Sequence, residues 1–160
     1  MCIRDRYKAQ SIGHEPNMIL AGRDINESMS GFVVEMLCNE MEKRSMSIAG
    51  NNVLILGFTF KENCPDVRNT KIIDLVNLLK DREINVHVYD KWADEKIVRE
   101  EYGLELISEI SGNYDAIILS VAHDEFKKLS IDKIRSYGNK DSIIFDLKHI
   151  LKKEYSDLRL

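Results

Sequence analysis

The sequence predicts an α/β fold: a Rossmann-like parallel sheet with helices on both faces, preceded by a long dimerisation helix. Three observations predict it. Segments of strand length recur at 53–58, 85–90, 115–121 and 142–146. Helical patterns lie between them, and strand–helix alternation is the mark of a parallel sheet covered on both sides. Before the first strand, apolar residues repeat at three- and four-residue steps over some twenty-five positions, which is a helix stripe.

Pro16 fits the first turn of that helix, where its missing N–H costs nothing. The stripe runs through Ile19, Ile25, Met29, Phe32, Val33, Met36, Leu37 and Met41, and ends before the turn signal Ala49-Gly50-Asn51-Asn52. Gly22 and Gly31 weaken it, each by roughly 1 kcal/mol against Ala. The apolar run Val53-Leu54-Ile55-Leu56-Gly57-Phe58 reads as a strand buried on both faces. A polar loop, 59–68, leads into a helix with an apolar face of Ile72, Ile73, Leu75, Val76, Leu78 and Leu79. Asn85 to Asp90 is the second strand, 93–102 a charged helix, and 104–107 a short strand. Asp115 to Val121 is a strong strand, 123–129 and 131–137 are helical turns, and Ser142 to Asp146 is the last strand. Ligands in such sheets sit outside the carboxyl ends of the strands, so the loops after Phe58, Tyr89, Val121 and Phe145 matter most.

Composition narrows the function. The 160 residues carry 44% hydrophobic and 31% charged side chains and a net charge of −4. That supports one core and speaks against non-specific nucleic-acid binding. No apolar run approaches the roughly 20 residues of a membrane helix, and the N-terminus lacks a signal-peptide core. Cys2, Cys38 and Cys64 are few and scattered, with no metal-ligand spacing, which fits a reducing, cytoplasmic setting and no metal site. Residues 1–6 show no structural period and read as a non-native leader. Residues 7–47 form the helical region and 48–160 the α/β domain.

The loop after the first strand carries the chemistry. Lys61 and Arg68 bracket it, so two cations can point into the crevice, and a helix start near Asn69-Thr70 adds N–H groups. Those are the parts of a diphosphate or carboxylate site; Asp66 can orient Arg68. An ordinary solvated loop with an Asn or Thr helix cap fits the same pattern. One glycine, Gly57, stands at the strand end, with no Gly-x-Gly-x-x-Gly, so this domain is not expected to bind NAD in the Rossmann manner. Asp90 sits where a ribose-binding acid would, but without that fingerprint a turn role is the better reading. His14 and His87 carry no functional signal.

Gly57-Phe58-Thr59-Phe60-Lys61 with Asp66-Val67-Arg68-Asn69-Thr70 resembles the Gly-Phe-Ala-Phe-Lys … Asp-x-Arg-x-Ser signature of the UDP-glucose/GDP-mannose dehydrogenase family. Ala21-Gly22-Arg23-Asp24-Ile25-Asn26 is similar to the start of that family's central helix. Val88-Tyr89-Asp90 is similar to its Tyr-Asp-Pro turn, with Lys91 in place of Pro, and Phe145-Asp146-Leu147-Lys148 to its closing element. The wording 60–69, with Cys64 where the UDP-glucose branch has Thr, resembles the bacterial branch acting on UDP-N-acetylglucosamine or UDP-N-acetylgalactosamine.

The resemblance implies the UDP-sugar-binding C-terminal portion of an NAD-dependent nucleotide-sugar 6-dehydrogenase of surface-polysaccharide synthesis, dimeric or larger through the long helix. It implies that Phe60 and Lys61 line the sugar-nucleotide pocket and that Lys148, or His149, contacts the nucleotide. Arg68 would reach toward the NAD phosphates or nicotinamide end, Asp66 would hold the loop, and Arg23 would serve structure or subunit contact. His123 either lines the pocket or is a satisfied loop histidine. The family's catalytic Cys sits in a Gly-Phe-Gly-Gly-x-Cys motif that these 160 residues lack, and Cys64 is no substitute, so no catalytic residue is assigned and the chain alone is expected to be inactive. The alternative is a free-standing nucleotide-binding regulatory module of the same fold, since one fold hosts many functions.

Overall fold

The computed structural model describes residues 7–8, 11–13, 15 and 17–160, without the side chain of Ile19. The proposed leader, Cys2, His14 and the Pro16 helix start lie outside the described residues.

The first long element is α1, Asn17–Lys43, an unbroken helix through both Gly22 and Gly31. Its two ends differ in environment. Val33, Val34, Leu37, Cys38 and Met41 are buried in the core, whereas Met18, Ile25, Met29 and Phe32 are exposed. The single stripe read from the sequence is thus divided into an exposed first half and a covered second half. Burial pushes the Cys38 thiol upward, which keeps it protonated and inert.

Five parallel strands follow: β1 (Asn52–Leu56), β2 (Asn85–Tyr89), β3 (Tyr114–Leu119), β4 (Gly138–Asp146) and β5 (Leu158–Arg159). Their spatial order is β2-β1-β3-β4-β5. Helix α2 (Ile72–Lys80) joins β1 to β2 and α3 (Glu95–Tyr102) follows β2. The short helices α4 (Asp124–Lys127) and α5 (Ile131–Arg135) join β3 to β4. Side chains alternate across the sheet. Val53, Ile55, Ala116, Ile118, Ile143 and Phe145 face α1, α2 and Val98 of α3. Leu54, Leu56, Ile117, Leu119 and Ile144 face Phe126 of α4 and Ile134 of α5. Both faces are covered, which is why the central strands are apolar at nearly every position.

Local signals set the helix ends. Asp94 accepts from the N–H groups of Lys96 and Ile97 to start α3, and Gly103 at φ 62° ends it. Ser130 accepts from Lys133 N–H to start α5.

Three expectations change. The strand at 104–107 shrinks to one bridge, Leu106 to Val88, because the segment beside the edge strand β2 aligns at a single residue. The last strand is not 142–146: β4 begins at Gly138, and β5 lies beyond it. β5 pairs only Leu158 and Arg159 with Phe145 and Asp146, and its position is set by side chains. Asp157 accepts from Ile144 N–H at 2.8 Å and from Arg44 at 2.9 Å, and Asp146 accepts from Arg159 at 3.2 Å. Finally, the helix expected to start near Asn69-Thr70 starts at Ile72, and Thr70 Oγ1 bridges to it, donating to the Phe58 carbonyl at 2.6 Å and accepting from Ile72 N–H at 3.3 Å.

Candidate functional site

From β1 the chain moves to β2 on one side, while β3 lies on the other side of β1. The loops leaving the carboxyl ends of β1 and β3 therefore diverge, and this topological switch point is where an open α/β sheet offers a crevice. The β1 loop spans residues 57–71 and the β3 loop 120–123.

Gly57 is required where the two loops meet. Its φ is 104°, and a Cβ there would lie 2.5 Å from Val121 Cβ and 2.9 Å from the Val121 backbone nitrogen. Ser120 Oγ lies within hydrogen-bond reach of both the Leu56 and Gly57 carbonyls, at 2.9 and 2.7 Å. Beyond Gly57 the loop is fastened by a buried acid from the next strand. Asp90 Oδ2 accepts from Phe58 N–H at 2.6 Å and Thr59 N–H at 3.0 Å, while Oδ1 accepts from Trp92 N–H at 2.8 Å. His123 completes the set. Its Nδ1 accepts from Asn63 N–H at 2.9 Å, which places the ring proton on Nε2, 3.1 Å from both Asp90 Oδ2 and Thr59 Oγ1. Thr59 Oγ1 in turn donates to the Lys61 carbonyl at 2.9 Å. Burial alone would raise the Asp90 carboxyl, but His123 and the two N–H groups outweigh it and hold it below the usual carboxylate range.

This network decides two open readings. His123 is fully buried and does not line the crevice; it is a satisfied loop histidine, stacked under Trp92 with ring centroids 6.1 Å apart. Both Asp90 oxygens are occupied by loop groups, so it acts as a turn acid and not as a ribose ligand.

The crevice itself has a volume of about 260 Å³. Phe60, Lys61 and Lys148 line it, with Asn26 from α1 and Ser120 from the β3 loop. Phe60 is 55% exposed, and the Lys61 ammonium lies 5.8 Å from its ring centroid. Lys148 is delivered by Asp146, a fully buried acid at the end of β4 that accepts from the N–H groups of Lys148, Ile150 and Leu151. The neighbouring His149 has φ 53° and lies 2.9 Å from the Leu160 carbonyl, so Lys148 is the member of that pair at the crevice.

Arg68 does not join Lys61 there. Val67 is buried in the core, which turns its neighbours outward, and Arg68 has a side chain 75% exposed. Asp66 clamps it, Nε to Oδ1 and Nη2 to Oδ2, both at 2.9 Å. The Arg68 guanidinium and its backbone N–H bring the Asp66 carboxyl down to about 2. The expectation that both cations point into one crevice is corrected accordingly. Arg23 pairs with Glu27 at 2.8 Å and lines an adjoining hollow of about 670 Å³, where it meets Phe60 and Tyr102. Among the described residues, no group of three or more His, Cys, Asp or Glu could hold a metal ion, and no helix is long and apolar enough to cross a membrane.

A parallel sheet of order β2-β1-β3-β4-β5, with α1 packed on one face and a lysine-lined crevice at its switch point, defines a Rossmann-like α/β domain. Sequence and structure comparisons give the family. The profile of the UDP-glucose/GDP-mannose dehydrogenase family, UDP binding domain, matches residues 54–153. The chain is 47% identical over 155 residues to a UDP-N-acetyl-D-glucosamine 6-dehydrogenase of Salmonella typhi, covering 96% of this chain and 36% of that protein. It is 46% identical to the enzyme of the same name from Pseudomonas aeruginosa, over 96% of this chain and 37% of that one. A solved UDP-glucose dehydrogenase from Pyrobaculum islandicum superposes with a TM-score of 0.77 at 20% identity, over 99% of this chain and 35% of that one, which establishes the shared fold. The chain belongs to the UDP-glucose/GDP-mannose dehydrogenase family and contains its UDP-binding domain; it spans about a third of the length of the curated relatives it matches.

Proposed function

We propose that the chain is the UDP-sugar-binding portion of an NAD-dependent UDP-N-acetylhexosamine 6-dehydrogenase, a cytoplasmic enzyme that makes uronic acids for surface polysaccharide. The observation that carries this reading is convergence: Lys61 from the β1 loop and Lys148 from the end of β4 line one switch-point crevice together with the exposed Phe60. Two ammonium groups suit a diphosphate, and an exposed aromatic face suits a sugar or a base. The named sugar of the Salmonella and Pseudomonas relatives supports the N-acetylhexosamine choice.

NAD would accept hydride from the sugar in such an enzyme. The residues described here do not fit a dinucleotide: the β1 loop is long, has a single glycine, and Gly57 is filled against by Val121. Arg68, presented outward by Asp66, is the group suited to reach a cofactor held by another domain. Residues 48–160 then form the substrate domain and 7–47 the assembly region, to which the exposed Ile25, Met29 and Phe32 are suited. Arg23, ion-paired on that helix, fits a structural or intersubunit role.

Calorimetric titration of the chain with UDP-N-acetylglucosamine and UDP-N-acetylgalactosamine, against UDP-glucose, GDP-mannose and NAD, tests the proposal. Saturable binding of the N-acetyl sugars without tight NAD binding is expected, and Lys61→Ala lowers it by about tenfold, the scale of one charged hydrogen bond. Absence of any saturable sugar-nucleotide binding would overturn it.

A further inference from the structure

The crevice holds a third cation that the family signature does not mark. Lys71 lies at the start of α2 and lines the same hollow as Lys61 and Lys148; Glu62 is the sole carboxylate among the residues around it. With Asp74, which pairs with Lys71, the count is three lysines against two acids, a local excess of positive charge in a chain whose net charge is −4. Lys71 also borders the two adjoining hollows, with Asn26 of α1 opposite it in all three, so the two side chains stand at the junction of the whole cleft system.

The position of Lys71 is electrostatically poor without a ligand. It stands at the positive end of α2, where anions are favoured and a cation is disfavoured. The available compensation is Asp74, one turn on, at 3.0 Å. Both side chains are nearly half exposed, and an ion pair of that kind contributes little and opens readily. An anion seated among the three lysines would cancel the unfavourable placement and use the helix end as well.

Resting on the sugar-nucleotide reading above, we infer that Lys71 is a third diphosphate-binding residue, acting with Lys61 and Lys148 across the mouth of the crevice from Asn26.

The test is titration of the whole chain, wild type and variants, with UDP-N-acetylglucosamine and with inorganic pyrophosphate. Lys71→Ala is expected to weaken both ligands by about tenfold or more at low salt, with the loss shrinking as salt rises. Lys71→Arg retains binding, and Asp74→Asn, which releases Lys71, strengthens it. Folding is controlled by thermal melting, which an exposed substitution leaves in place. Equal affinity of Lys71→Ala and wild type for the sugar nucleotide overturns the inference and leaves the proposed function standing. Lys71-dependent pyrophosphate binding without sugar-nucleotide binding supports the inference and sinks the function. Wild-type chain that binds neither overturns both.

Discussion

The two halves of the β1 loop are held by different physics. Residues 57–63 are locked from beneath: Gly57 against Val121, the Phe58 and Thr59 amides on Asp90, and Asn63 on His123. Residues 64–69 have one buried side chain, Val67, and two backbone ties, Tyr102 OH to the Val67 carbonyl at 2.7 Å and Phe60 N–H to the Asp66 carbonyl at 2.8 Å, with the Asp66 and Arg68 side chains paired in solvent. A buried hydrogen-bonded acid stabilises the native state strongly, because its partners have no water to turn to; an exposed pair stabilises little. The first half therefore serves precision, holding Lys61 and Phe60 at the crevice. The second serves presentation, holding a charged, ion-paired arm on the exposed side of the loop.

The sharpest way to break the first half is Gly57→Ala. A methyl group must enter Val121 at a backbone angle unsuited to L side chains, and the expected loss is about 3 kcal/mol or more, read by denaturant unfolding. A variant as stable as wild type would show that the loops need not meet as described. Asp90→Asn comes next. It places an amide where two N–H groups and the His123 Nε2–H point, at a cost of about 3 kcal/mol. The same residue predicts a pH dependence. Its carboxyl is depressed in the folded state, so its contribution is fully present above the unfolded value of about 3.9 and is lost as pH falls through the lower folded value. Wild type should lose stability more steeply than Asp90→Asn below about pH 4 in urea melts taken across pH, and parallel profiles would remove Asp90 from the account. Arg68→Ala is the smallest effect: an unchanged melting temperature and unchanged affinity for the UDP-sugar, since the side chain is exposed and outside the crevice. A clear drop in either would place Arg68 in the site after all.

Much of the candidate site was legible in the amino-acid order because the family signature is local. Phe60, Lys61, Asp66 and Arg68 lie within nine positions, and the strand that launches them is continuous and apolar. What order alone left open was direction. Lys61 and Arg68 both read as crevice cations, and only the burial of Val67 between them separates the two. Lys71 and Asn26 went unmarked because one sits at a helix start and the other on a helix assigned to assembly, 45 positions apart in the chain.

By itself the sequence determined the α/β class, the four main strands, the long helix and the switch-point loop, since period, turn residues and composition act over a few positions. The tertiary structure alone decided that β5 exists, that only the second half of α1 is covered, that His123 is a fastener and that three lysines share one crevice. Those outcomes depend on contacts between segments tens of residues apart, through side chains such as Asp90, Asp146 and Asp157. Their partners are chosen by where the packed sheet brings them, which no local pattern records.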